Sequence, residues 1–410
     1  MYKILFLLLY NFSFADTQYS FNVYLYAQKN QLLNSSVNPL NQIFKTPDSE
    51  YHLDLRSEIK WAEAGQRVVI RPRIRTASKN IHLNNQTEQE TKTKLDLTDA
   101  FYEQSWTPHI STTIGLQVYQ WGPAEFINAT NPFYHFNTEQ RSVIYKEKGQ
   151  ILLRTNYSID KENNLVLIFQ PLSNNEAEWI AEGKFTPKIL MKYEKSIAES
   201  ANYFGFVAGS EEKSNVFVGE YFNYNNSNGF SAYADIKHMQ HKINFIPQAN
   251  GVNYNLVPDN QSKFQWPSLG VLGVRFEDNY DLRFEYIYNG AGFRQNDLNN
   301  AIAASSNTLN PNYTQNLQRF LKPGLELLGQ NYFYTSLRVN EPFNLNEFNF
   351  YSRYMRSLQD ESSQFQFEFD KALYDSYQVF SNISIASGTQ NSEFRLGNDW
   401  QILIGIKLSL

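Results

Sequence analysis

The chain has 410 residues, with 41 acidic against 36 basic side chains and a formal net charge of −5 at pH 7. That balance speaks against a nucleic-acid partner, which calls for a basic face. Cysteine is absent, so a disulfide framework and thiolate metal sites are excluded.

In chain order, the first element is a targeting segment. Lys3 precedes an apolar run over 4–10, and Ser13-Phe14-Ala15 supplies small residues where a signal peptidase reads. A positive charge, a short apolar stretch and a small-residue site together describe a secretory signal. The run is too short to cross a bilayer as a helix, which takes about 20 residues. The expected cut follows Ala15, leaving 16–410 as one mature domain.

Beyond it no apolar stretch is long enough for a membrane helix, yet 31 Phe and 27 Tyr accompany a mean hydropathy of only −0.51. A β-barrel reconciles the two, because lipid-facing and lumen-facing side chains alternate along each strand. Leu53, Leu55, Ser57, Ile59 and Trp61 share one face, against Asp54, Arg56, Glu58 and Lys60 on the other. After a turn at 62–65, Val68, Ile70, Pro72 and Ile74 oppose Arg67, Val69, Arg71, Arg73 and Arg75. Single-parity stripes follow at Ile110, Thr112, Ile114, Leu116 and Val118, at Leu272, Val274 and Phe276, and at Tyr280, Leu282, Phe284, Tyr286 and Tyr288. Phe365, Phe367 and Phe369 form another. The last strand is the cleanest, with Trp400, Ile402, Ile404, Ile406, Leu408 and Leu410 on one side.

This periodicity predicts strands near 18–28, 51–62, 65–77, 94–106, 109–121, 148–159, 162–171, 187–194 and 201–210. It continues near 214–225, 229–238, 267–277, 280–290, 331–340, 344–356, 363–372, 376–386 and 399–410. Most reach about ten residues, whereas globular strands usually have five or six and membrane-crossing ones about 9–11. A soluble sandwich would have to bury the apolar faces of all these strands in one core, and single cores rarely grow so large. Short connections alternate with a second set that includes long polar segments at 29–50, 78–93, 122–147, 239–266 and 291–330. Short periplasmic turns and long outer loops are the outer-membrane pattern. Residues 319–328 are assigned to an outer loop with a helical turn, because a strand there breaks the parity. The expected fold is therefore all-β, an antiparallel up-and-down transmembrane barrel of about 18 strands (16–18).

Gly405, Leu408 and Leu410 stand where the C-terminal signal read by the barrel-assembly machinery carries glycine and two apolar or aromatic residues. Leu410 departs from the usual terminal aromatic. A second likeness lies in Gly115-Leu116-Gln117-Val118-Tyr119-Gln120-Trp121-Gly122, followed by Asn131-Pro132 and preceded by Asp99-Ala100-Phe101-Tyr102. This pattern resembles a poorly characterised Gram-negative outer-membrane porin-like family, similar in turn to alginate-export-type barrels. Weaker traces continue in 328–332, 358–362 and 392–394. The resemblance implies a large monomeric barrel acting as a channel, with outer-membrane lipid, lipopolysaccharide, the barrel-assembly machinery and small solutes as partners.

Charges are costly on the lipid face, so alternation assigns Asp54, Arg56, Glu58, Lys60, Arg67, Arg71, Arg73 and Arg75 to the lumen, with Gln117, Arg275 and Arg283. Rings of Arg and Lys favour anions. Asp54 and Glu58 share the face, and cross-strand pairing makes a wall-stiffening ion-pair lattice the equal alternative. Mixed signs recur at Arg275 with Glu277, Arg283 with Glu285, and Glu368 with Asp370. Trp121-Gly122 reads as an anchor at the membrane–water boundary and a turn admitting positive φ, opening a 122–147 loop placed to fold inward. The histidines His52, His82, His109, His135, His238 and His241 lie mostly in or near loops without a nucleophile motif. His238-Met239-Gln240-His241 lacks a third ligand, so no catalytic residue, metal or cofactor is expected.

The expected function is passive, mildly anion-selective diffusion of small hydrophilic solutes. Its rivals are a dedicated transporter for an acidic polysaccharide or an apolar compound, and a non-transport surface barrel serving adhesion or structure. The parity assignment has a direct test. Cysteines at Arg71 and Arg73 should react with water-soluble thiol reagents, and those at Ile70 and Ile74 with lipid-phase probes. The reverse labelling inverts the assignment.

Overall fold

Residues that repeat every second position point to one face of an extended chain, and the segments with that repeat are strands in the structure. The computed structural model describes residues 17–83, 86–133, 143–144, 149–172, 187–197, 201–211, 215–240, 245–251, 253–258, 266–320 and 327–410. The expected signal segment, His135 and His241 lie outside them. The strands are β1 (Thr17–Leu32), β2 (Ser49–Glu63), β3 (Gln66–Leu83), β4 (Gln86–Thr107), β5 (Ile110–Gln117), β6 (Gln150–Ser158) and β7 (Asn163–Gln170). They continue with β8 (Lys188–Ser196), β9 (Tyr203–Glu211), β10 (Asn215–Asn225), β11 (Phe230–Met239), β12 (Phe245–Asn250), β13 (Asn253–Pro258) and β14 (Ser268–Glu277). The last are β15 (Tyr280–Asn289), β16 (Asn331–Asn340), β17 (Phe348–Ser357), β18 (Ser363–Tyr374), β19 (Tyr377–Ser387) and β20 (Asn398–Ser409).

All but β12 and β13 belong to one 18-stranded sheet. Each strand pairs antiparallel with its neighbour in sequence, and β11 pairs with β14 across the β12–β13 insertion. The circle closes where β1 meets β20, from Asn22↔Ser409 to Leu32↔Asn398. The result is a closed barrel whose strands match the eighteen expected segments one for one.

Two features depart from expectation. β5 ends at Gln117, four residues early. Asp99 Oδ1 accepts the Val118 N–H at 3.2 Å, taking the group that would extend the ladder, and the chain leaves the wall. The second departure is in the outer loops, where the hairpin β12–β13 and helices α1 (Gln295–Ser306) and α2 (Tyr313–Phe320) form. Val37, Phe245, Leu256, Leu298, Leu317 and Phe320 are buried together, so loop 33–48, the hairpin and both helices share one apolar core. Inside it Asn316 accepts the Leu256 N–H at 2.9 Å, while Asn38 Oδ1 accepts from Ile43 and Phe44 at 3.0 Å each. Side chains thus satisfy the loop backbone where strands do not. This assembly is a cap over the outer end.

The exterior is apolar. On β20, Ile402, Ile404 and Ile406 are 37%, 63% and 49% exposed, whereas Leu403 between them is 2% exposed. The same split separates Ile189 and Met191 from Leu190 on β8, and Val216 and Val218 from Phe217 on β10. A soluble protein does not leave an apolar girdle of this extent to water. Lipid covers it, and the protein crosses the outer membrane with strands. No helix among the described residues is long and apolar enough to cross a membrane. β3 and β4 have 18 and 22 residues against eight or nine in β5 to β8, so their hairpin stands above a low rim.

Closure leaves the barrel without a free edge, and detergent cannot peel a strand away. The unboiled protein should therefore migrate faster than the boiled protein on a denaturing gel. Identical mobility would contradict a closed barrel.

Candidate functional site

The chain leaving β5 does not rise into an outer loop but turns into the barrel. From Trp121 to Phe133 nearly every residue is buried, so backbone groups on this tongue must find partners on the wall. Trp121, expected as an anchor at the membrane–water boundary, points inward instead. It is 6% exposed, packs with Phe133, Leu152 and Phe217, and donates from Nε1 to Thr130 Oγ1 at 3.1 Å. The physical reason is the early end of β5, since the indole follows the chain onto the apolar inner face of β6 to β10. Gly122 makes the turn with φ +92°, and a Cβ there would lie 2.4 Å from Asp235 Oδ2. Asp235 on β11 also catches the returning leg, its Oδ1 accepting the Thr130 N–H at 2.8 Å.

The tip is held by charge. Glu285 on β15 accepts the N–H groups of Glu125 and Phe126 at 2.5 and 3.0 Å, and the Tyr233 hydroxyl at 2.8 Å. The Glu125 carboxylate accepts from Ser336 at 3.0 Å, Tyr334 at 3.3 Å and Tyr351, and pairs with Arg283 Nε at 2.9 Å. Ala124, Phe126 and Ile127 flank it against Tyr233, Val271, Ile287 and Met355. Hydrogen bonds to ionised groups are roughly twice as strong as neutral ones, which suits a segment held far from its root. In barrel order β5 is the fifth strand and β16 the fourteenth of eighteen, so root and tip stand on opposite walls. The tongue spans the lumen. Farther along, Val143 and Ile144 pack on Tyr24, Tyr26, Phe380 and Leu403, and the Ile144 carbonyl accepts from Arg56 Nη2.

The expected basic ladder is assembled on β2 to β6 as a shared network. Asp54, fully buried, accepts from Arg56 at 2.8 Å and from Arg73 at 2.6 Å. Glu58 takes Lys60 at 2.6 Å and also Arg71, whose Nη1 reaches Asp99 at 2.5 Å. Glu103 stands 3.9 Å from both Arg67 and Arg154. Arg75 has no carboxylate within 4 Å among the described residues. In this group seven cations face four carboxylates. Pairing neutralises most of the ladder and leaves an excess of positive charge.

The remaining expected residues serve the wall. Gln117 is buried and donates to the Leu152 carbonyl at 3.2 Å. Arg275 and Arg283 both grip Asp281, at 2.9 to 3.0 Å through two bonds each. Arg275 also pairs with Glu277 at 2.7 Å. Arg283 turns to Glu125 rather than to Glu285, which is occupied by tongue amides. Glu368 pairs with Arg353, and its Oε1 also accepts from Asn382 at 3.0 Å.

Sequence reasoning missed the residues that hold the tongue: Glu125, Asp235, Glu285, Tyr334 and Tyr351. A trace existed. Glu125 is a lone charge within Ala124-Glu125-Phe126-Ile127, and Asp235 and Glu285 are inner-face acids two residues from Lys237 and Arg283, each needing a partner once buried.

No family model matches the chain, and no curated protein matches it in sequence. Among solved structures, OccK5 (OpdH) of Pseudomonas aeruginosa is similar with a TM-score of 0.55 at 8% identity, covering 96% of this chain and 98% of that one. OccAB1 of Acinetobacter baumannii gives 0.55 at 10% identity, covering 96% of each chain. OpdK of Pseudomonas aeruginosa, solved with vanillate, gives 0.54 at 6% identity, covering 96% and 98%. At such identities the likeness shows the fold alone, a closed β-barrel over the full length. It lends nothing to the similarity to alginate-export barrels, or to the Gly-x-Gln…Trp-Gly pattern as a family mark.

Removing one partner of a buried ion pair costs about 3–5 kcal/mol. Glu125→Ala should therefore undock the tongue while leaving the barrel closed. Single-channel conductance should rise and become noisier, with heat-modifiable mobility retained. Unchanged conductance would mean that the tip does not constrict the lumen.

Proposed function

We propose that the barrel is a channel for passive diffusion of small hydrophilic solutes across the outer membrane, with a mild preference for anions. The observation that carries this reading is the wall network, where cations outnumber carboxylates beside a lumen narrowed by the tongue. A barrel of 16–18 strands leaves an aqueous passage, and the tongue brings solutes close to the wall. Fixed charges act over only about 8 Å at physiological ionic strength, so a narrowed lumen is what lets a small excess matter. The vanillate in the OpdK structure is a carboxylate, which accords with anionic solutes. A second reading, a transporter dedicated to one solute, is favoured by the depth to which the tongue is buried and by the cap.

The reversal potential of reconstituted channels under a KCl gradient tests the selectivity. Wild type should favour chloride weakly, and the preference should fade as salt rises. Arg71→Ala with Arg73→Ala removes two of the three excess positive charges and should move the potential toward the cation side. An unmoved potential, or a cation preference in wild type, makes the network purely structural.

A further inference from the structure

Residues 327–332 join the cap to the tongue. Leu327 and Tyr332 lie in the apolar cluster that holds Ala124, Phe126 and Ile127 at the tongue tip. Leu328, beside them, packs on the core of the cap. Two outer loops hold this segment. From the loop after β19, the Glu393 carboxylate accepts the Tyr332 hydroxyl at 2.7 Å and the Leu328 N–H at 2.8 Å. From the loop after β17, Gln359 Oε1 accepts the N–H groups of Gln330 and Asn331 at 3.1 and 2.8 Å.

Glu393 is partly exposed as a residue, but its carboxyl group is turned inward onto these donors. Asp360 adjoins it, Oδ2 accepting the Glu393 N–H at 2.7 Å and Oδ1 the Ser362 hydroxyl at 2.7 Å. Arg395 is engaged by Asp399 at 2.9 Å, and Glu361 stands 3.9 Å from Arg356. No Lys, Arg or His nitrogen lies within 4 Å of the Glu393 or Asp360 carboxylates among the described residues. An enclosed carboxyl beside a second carboxylate, with no counter-charge among the described residues, favours the neutral form of Glu393.

We propose that this staple is a proton-sensitive regulator of the constriction, set from the outer face. With Glu393 protonated, the outer loops hold segment 327–332 and, through Tyr332 and Leu327, the tongue tip. With Glu393 ionised beside Asp360 the staple weakens, and the tongue leaves its dock more readily. This inference rests on the channel reading above.

The direction and window follow from linkage. Enclosure of the carboxyl group pushes Glu393 up to about 7, and the charge of Asp360 adds to that. A solvent-exposed glutamate releases its proton near 4.3, roughly. Below that lower value both states hold the proton and the staple has its full strength. As pH rises through the window the stapled state loses up to tenfold in population per unit, and the loss is complete above about 7.

Bilayer recordings of the reconstituted full-length chain, with outer-face pH stepped across this window, test the proposal. Conductance should rise with pH and then level off. Glu393→Gln should be flat, and Asp360→Asn, which removes the like charge, should shift the midpoint to lower pH. A wild-type channel that conducts equally at every pH overturns the regulator and leaves the channel standing. A Glu393→Gln protein that titrates like wild type overturns the assignment to this residue. If that variant fails to fold, an unmoved midpoint in Asp360→Asn overturns it instead. A folded, heat-modifiable wild type that passes no current at any pH sinks the channel reading itself.

Discussion

Every backbone N–H and C=O that crosses lipid needs a partner inside the protein, because hydrocarbon offers none. The pairing of β1 with β20 meets that demand for the two strands that would otherwise be edges, and the rest of the structure depends on it. Once the sheet is closed, side-chain parity divides cleanly. Ile402, Ile404 and Ile406 face lipid while Leu403 and Gly405 face inward. The barrel then becomes a rigid frame on which an irregular segment can be stretched from one wall to the other.

That segment obeys the same accounting. A tongue without strand neighbours has no ladder to satisfy its amides, so wall carboxylates do it, with Glu285 taking two and Asp235 a third. Glu125 returns the arrangement by placing its own carboxylate among Arg283 and three hydroxyls. Such contacts are stable only as a set, because any one left unpaired is a buried charge without compensation. The tongue is therefore expected to dock or undock as a unit, which suits a constriction.

The two halves of the inner face differ in kind. On β6 to β10 an apolar patch is covered by Trp121 and Phe133, while the ion-pair network runs over β2 to β6. Over the outer end, the cap has its own apolar core, and Tyr332 and Leu327 connect its base to the tongue tip. Packing thus links the base of the cap to the tongue tip.

Strand positions, their number and the side each residue faces were legible in the sequence because period two is a local property that lipid and water read residue by residue. Leu53 against Asp54 and Ile74 against Arg73 carry that information without reference to anything distant. The charged residues of the ladder alternate with apolar ones along β2 and β3, whereas their sharing of Asp54, Glu58 and Glu103 depends on register across strands. Tertiary structure alone decided the tongue and the cap. Glu125 meets Glu285 across 160 positions and Tyr351 across 226, and no local pattern records contacts at that range. Trp121 shows the limit most plainly: an indole beside a glycine at a strand end suits a membrane boundary, and only the early departure of the chain at Val118 sends it inward.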